Sequence, residues 1–285
     1  MRLGVCIFFT ALIFVDVVGF VDASRQGLAL FHESVLPVLF PFFFITSLAA
    51  HSGVRGGLGI GLFSMLGGYP TSARMISQVY DQGQITKERA KWLSTMTSFP
   101  SPIFIIATVG VSLFSSLRFG LVIFLAILIG ALLNGLLWRR VNDLANSPRK
   151  TDLSQSEKPG FTDAFANSLQ SSVQSILMVG GLIVLFFIVG SQLDSLLGLP
   201  VGLDIAISSG LEMTSGVFKL AGITLGEFWQ VMLVTAILAW GGICVGMQGL
   251  LFFKKFGMSV WFYLAFKLTH TLLAVSVASF LFFIF

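Results

Sequence analysis

Glu212 stands in an apolar stretch, SLLGLPVGLDIAISSGLEMTSGVFKL over 195–220, with Thr214 and Ser215 beside it. A carboxylate flanked by hydroxyls in such surroundings suits a coupling proton or Na⁺, or a buried cation of the same chain. One such cation is Arg74. It follows Gly67-Gly68-Tyr69-Pro70, Thr71 and Ser72. Gly permits unusual dihedrals and Pro removes a donor, so Gly68, Tyr69 and Pro70 break a helix. The restarted helix offers a positive dipole end, with two hydroxyls and a guanidinium suited to a carboxylate. A third group is Ser98 and Ser101 in SFPSP, and a fourth is Gln248 in the Gly-rich run GGICVGMQG. Each group also has a plainer reading. Arg74 fits an interfacial anchor, Glu212 a hairpin mouth, Ser98–Pro102 a Pro kink, and Gln248 an interhelical hydrogen bond. Lys267 and His270 lie one turn apart and fit an interface pair or a proton relay. Asp16 and Asn134 read as packing residues.

The elements that position these groups are membrane helices. The 285 residues are 55% hydrophobic and 11% charged, with 30 Gly and 30 Phe. Soluble domains carry about a quarter charged residues. A span needs about 20 apolar residues. Seven stretches qualify: 3–22, 33–51, 97–116, 118–138, 172–194, 228–252 and 258–284. The stretch 56–79 breaks at Gly67-Gly68-Tyr69-Pro70. The stretch 195–220 breaks at Pro200 and around Ser208-Ser209-Gly210. Both read as re-entrant hairpins, since irregular backbone at membrane depth must be buried in protein or line a cavity.

Four segments follow. Residues 1–22 form a first helix, a possible uncleaved signal anchor, and 30–138 a first membrane repeat. Residues 139–163 form a polar linker, and 164–285 a second repeat. With the linker in the cytoplasm, most of the 17 basic residues fall inside, among them Arg2, Arg55, Lys87, Arg89, Lys91, Lys254 and Lys255. Lys and Arg favour cytoplasmic loops, so this placement supports a cytoplasmic N-terminus and linker. The two halves then have the same element order and opposite orientation. The expected fold is an all-α polytopic membrane protein with about seven transmembrane helices and two re-entrant hairpins in an inverted repeat. Broken helices meeting near the midplane mark secondary transporters.

The runs LPVLFPFFFI (36–45), LGGYPTSARM (66–75), GQITKERAKWL (83–93), SFPSPIFIIATVG (98–110), GLEMTSG (210–216) and GGICVGMQ (241–248) resemble the sporulation integral membrane family (YlbJ-type) with its nucleoside-recognition Gate domain. The resemblance covers roughly residues 30–280. Gly-Tyr-Pro and Pro-Ser-Pro-Ile-Phe-Ile are its most specific parts. It implies a polytopic protein of the bacterial cell membrane, passage of a small organic acid such as dipicolinate, and distant kinship to nucleoside-transporter gates.

The resulting expectation is a permease without cofactor. It takes a small anionic solute by alternating access at Gly68, Tyr69, Pro70, Thr71, Ser72, Arg74, Ser98, Ser101, Glu212, Thr214, Ser215 and Gln248. A proton or Na⁺ is its coupling ion, the lipid bilayer its medium and a homo-oligomer its possible assembly. A non-transporting scaffold of envelope or sporulation assembly and a nucleoside-type permease are the alternatives. No HExxH, G-x-S-x-G or P-loop occurs, so no enzyme is expected. Cys6 and Cys244 both lie in apolar runs and suggest neither a disulfide nor a metal site. The basic residues sit between apolar runs rather than in one patch, which argues against nucleic acid.

Overall fold

A computed structural model of the chain describes residues 10, 11, 14, 16–51, 57–139 and 160–285. The start of the expected first span, Arg2, Cys6, Arg55 and most of the polar linker, with Arg140, Arg149, Lys150 and Lys158, lie outside the described residues. Within them the chain is all-helical, and five helices are long and apolar enough to cross a membrane.

The first is α1 (Val17–Leu30), which runs through a π-helical turn (Phe31–Val35) into α2 (Leu36–His51). Asp16 caps it, accepting from the Gly19 backbone N–H at 2.9 Å. This differs from the expected pair 3–22 and 33–51. The stretch 23–32 between them, with Arg25, is helix rather than loop. Asp22 and Arg25 pair one turn apart on its exposed side, 3.6 Å apart, and no Pro interrupts it. A helix of 33 residues is roughly 50 Å long at about 1.5 Å per residue, more than a hydrocarbon core of about 30 Å requires. Charged residues can therefore sit on it beyond the core.

Next come two helix–break–helix pairs. α3 (Gly57–Gly67) and α4 (Thr71–Asp81) flank the Gly68-Tyr69-Pro70 break. α5 (Lys87–Thr97) and a π-helix (Phe104–Leu113) flank the break Ser98–Ser101, so the expected span 97–116 begins at a break and holds only the second of two half-helices. α6 (Leu117–Arg139) closes the first half without a break.

The second half repeats this order. α7 (Phe161–Leu197) is long and starts 11 residues before the expected 172, inside what read as linker, with Gly160 as its N-cap. α8 (Val201–Leu211) and α9 (Met213–Ala221) flank Glu212. The break falls at Glu212, not at Ser208-Ser209-Gly210, which are helical. α10 (Glu227–Trp240) and α11 (Gly242–Phe253) flank Gly241, dividing the expected span 228–252. α12 (Val260–Ile284) ends the chain unbroken.

Corresponding elements pack on one another across the halves: α1 and α2 lie along α7, and α6 lies along α12. Small residues set the second contact. A Cβ added at Gly130 would stand 2.8 Å from both the Cα and N of Ala274. Close backbone approach of this kind is a main source of helix association in lipid. Buried Asn134 adds polar glue: its Nδ2 donates to the Thr95 and Phe266 carbonyls (2.8 and 3.2 Å), and its Oδ1 accepts from Thr269 Oγ1 at 2.6 Å. Replacing Gly130 with Leu should force the α6–α12 pair apart. The expected cost is about 1–3 kcal/mol, read as a lower melting temperature in detergent. An unchanged melting temperature would show that the two helices are not held this closely.

Candidate functional site

The site is built from the four breaks. Gly68 is in the left-handed region (φ +64°), where a side chain is strained, and a Cβ there would lie 2.2 Å from the Ser101 N. The first break thus rests directly on the second. The Tyr69 backbone N–H donates to the Phe99 carbonyl at 2.8 Å. In that second break, Ser98 Oγ donates to the Ser94 carbonyl at 2.7 Å, and Ser101 Oγ accepts from the Phe104 backbone N–H at 3.3 Å. Backbone groups that have left the helical ladder therefore find partners in protein, as membrane depth requires.

The breaks of the second half meet in the same way. A Cβ at Gly242 would sit 3.0–3.2 Å from the carbonyl oxygens of Ser209, Gly210 and Leu211, which places the α10–α11 break on the end of α8. Tyr69 joins the two halves. Its hydroxyl donates to the Leu238 carbonyl at 2.8 Å and lies 3.0 Å from Met213 Sδ. Lys267 of α12 completes the connection. Its Nζ donates to the Ser98 carbonyl at 3.0 Å and to the Ala239 carbonyl, and lies 5.0 Å from the Tyr69 ring centroid.

A cleft with about 480 Å³ of atom-free space, the open solvent at its mouth included, lies where the first three breaks meet. Its polar lining includes Tyr69, Ser101, Glu212, Thr214 and Gln248, beside Pro70 and an apolar wall from Val35, Val179 and Val245. Three half-helices begin at its edge: α4 after Pro70, the half-helix after Ser101, and α9 after Glu212. Helix N-termini are positive dipole ends. One of them already holds an anion from the chain itself. Glu212 is 2% exposed, and its Oε1 and Oε2 accept from the backbone N–H groups of Thr214 (3.0 Å) and Ser215 (2.7 Å). The α4 N-terminus has no side-chain cap.

The expected site residues divide accordingly. Tyr69, Pro70, Ser101, Glu212, Thr214 and Gln248 come together on the cleft. Gly68 and Ser98 stand behind it, shaping the breaks. Ser215 lies under Glu212, its Oγ donating to the Glu212 carbonyl at 2.9 Å. Thr71, Ser72 and Arg74 are buried on α4 and do not line the cleft. Arg74 is 5% exposed, which removes the reading of it as an interfacial anchor. Nor does it pair with Glu212. Its Nη2 donates to Ser171 Oγ (2.5 Å) and Ser47 Oγ (3.3 Å), and the guanidinium carbon lies 5.8 Å from the Phe43 ring centroid. Glu212 instead spends its carboxylate on its own helix. Phe43 is itself buried. His270 is buried, with Nε2 3.2 Å from the Ile127 carbonyl oxygen.

The residue that sequence reasoning left out of the site is Lys267. Its signal was present: it is the sole Asp, Glu, Lys or Arg in the 25 residues of α12. An ionisable group at membrane depth marks function by default.

Gly68→Ala should be costly. Backbone strain at such a position costs of order 1–3 kcal/mol, and the methyl group would also press on the Ser101 backbone. Tyr69→Phe, which removes only the hydroxyl, should cost about 0.5–1.5 kcal/mol. Thermal unfolding in detergent reads both. If Gly68→Ala were no less stable than Tyr69→Phe, the first break would not rest on the second.

With this geometry in view, the chain is similar to the sporulation integral membrane protein YlbJ of Bacillus subtilis (strain 168). The two are 26% identical over 282 aligned residues, covering 80% of this chain and 69% of the relative. That likeness bears out the resemblance to the YlbJ-type family drawn from the Gly-Tyr-Pro and Pro-Ser-Pro runs. No family profile matches the chain. No solved structure matches it either.

Proposed function

We propose that this membrane protein is a permease for a small anionic organic solute, bound in a cleft lined by three of the four helix breaks and by α11. That convergence is the observation that carries the reading. Broken helices are costly in lipid, and transporters use them where a solute must meet backbone groups near the midplane. Two pairs of breaks, in two halves of like element order, fit an inverted repeat with α3–α4 and α8–α9 entering from opposite faces. The central linker is then cytoplasmic, and with 17–49 a single helix the start of α1 lies on the opposite face, not in the cytoplasm as expected.

The chemistry of the cleft supports an anion. Pro70, the N-cap of α4, lines it and gives that helix no side-chain cap, and Ser101, Thr214 and Gln248 add hydrogen-bonding groups beside an apolar wall. A planar or aliphatic carboxylate matches that set, with its charge at the helix end and its carbon frame on the valines. Glu212 adds a group able to take up a coupling proton when it releases the α9 N-terminus.

A second cleft, of about 580 Å³, supports alternating access. It is lined by Gln26, Asp194, Ser208 and Lys219, together with Leu211 and Ser215, which flank the Glu212 break. Glu212 and Thr214 line the first cleft, so the α8–α9 break forms part of both walls. Movement of that tip would join the two clefts. The relative's name speaks of sporulation and membrane integration, so a non-transporting assembly factor is the competing reading.

The test is uptake by proteoliposomes. The panel contains dicarboxylates, dipicolinate and nucleosides, each with a proton gradient, a Na⁺ gradient or neither. The reading predicts saturable uptake of a carboxylate. It also predicts at least a tenfold loss of uptake in Ser101→Val and in Glu212→Gln, about 1.4 kcal/mol of binding or barrier. Uptake of nucleosides alone would transfer the site to a nucleoside-type permease. No uptake of any compound, with sporulation or envelope defects on deleting the linker, would favour the assembly factor.

A further inference from the structure

Lys267 is fully buried, and among the described residues its ammonium has no carboxylate partner within ion-pair distance. What surrounds Nζ is a cage of acceptors: the Ser98 carbonyl, the Ala239 carbonyl and the face of the Tyr69 ring. A lysine ammonium has three N–H donors and no acceptor, and three electron-rich partners meet it.

The positions of the two carbonyls give the cage its meaning. Ser98 is the C-cap of α5, and Ala239 lies in the last turn of α10. Each helix stops at a break, one in each half of the chain, and leaves carbonyls without intrahelical partners. Both are negative dipole ends. Unwound carbonyls at half-helix C-termini are the groups by which secondary transporters hold a dissociable Na⁺. In this chain the same type of seat, between the same type of elements, contains the end of a side chain.

We propose that the Lys267 ammonium is a tethered monovalent cation. It permanently fills a cation seat between the α5 and α10 C-termini and locks the two broken helices together without Na⁺. The seat itself rests only on the geometry of Lys267. Its consequence for transport, that uptake needs no Na⁺, rests on the permease reading above.

The neighbourhood fits a seat that can be vacated and refilled. A lateral crevice of about 640 Å³ between α11 and α12 reaches Lys267, lined by Gly242, Gly246, Tyr263 and Leu264. A small cation could therefore enter once the side chain is cut back.

The experiment is thermal unfolding of the purified full-length protein in detergent, in Na⁺, K⁺, methylammonium or choline chloride at one ionic strength. Wild type should unfold at one temperature in all four salts. Lys267→Ala should unfold several degrees lower in choline, which is too large for the seat, and regain much of the loss in methylammonium or Na⁺. Lys267→Gln keeps a donor on a side chain one atom shorter but not the charge, so it should fold, remain less stable than wild type and respond little to the salts. Should Lys267→Ala not fold in choline, its recovery when purified in methylammonium is the readout. The proposal is overturned if Lys267→Gln matches wild type, if neither small cation stabilises Lys267→Ala over choline, or if wild type itself is stabilised by Na⁺. None of these readings depends on transport, so a failed uptake assay leaves them intact. Conversely, Na⁺-independent uptake by wild type that becomes Na⁺-stimulated in Lys267→Ala would join the two.

Discussion

Backbone that leaves its helix inside a membrane must find its hydrogen bonds in protein, because lipid supplies none. That constraint organises this molecule. Each of the four breaks is held by another part of the chain. Tyr69 N–H goes to Phe99, the Tyr69 hydroxyl to Leu238, Gly242 closes on the end of α8, and Lys267 takes the loose carbonyls of Ser98 and Ala239. The unbroken helices α6 and α12 form the frame on which this takes place, with Asn134 and the Gly130–Ala274 contact holding them in register.

The same constraint sorts the half-helix ends by sign. N-termini collect around the cleft, where one is capped by Glu212 and another has no side-chain cap. C-termini collect around Lys267. A solute carboxylate on one side and an ammonium on the other would thus each meet a dipole end of opposite sign. Neither group needs the other as an ion-pair partner. This explains why Arg74 and Glu212 do not pair although both are buried. Glu212 is held by its own helix, and Arg74 Nη2 by Ser47 and Ser171, while Arg74 Nη1 has no hydrogen-bond partner among the described residues.

Much of this was legible from residue types. Gly68-Tyr69-Pro70 and the Pro-rich run Ser98–Pro102 mark breaks because Gly and Pro alter the backbone itself, and the structure breaks at both, whereas Gly241 breaks a stretch that read as one span. Half of the expected site residues meet on one cleft. What was not legible depends on partners remote in sequence. Ser208-Ser209-Gly210 has the composition of a break, yet it stays helical. The chain turns instead at Glu212, whose side chain offers a cap. The stretch 23–32, with Arg25, read as a connection between two spans, but a helix longer than the membrane is thick can carry its charge. Lys267 meets carbonyls 169 and 28 residues away, and no local pattern announces such contacts.

The central claim is that the cleft between the breaks is a path open in turn to each side of the membrane. The most direct measurement is thiol accessibility. With Cys6 and Cys244 replaced, a single cysteine is placed at Ser101 in the second break. It is exposed to a membrane-impermeant reagent in vesicles of each orientation. The account predicts modification from both faces, slowed by the transported carboxylate in either orientation. Modification from one face only, whatever the solute or gradient, would contradict it, because the cleft would then be a dead-end pocket.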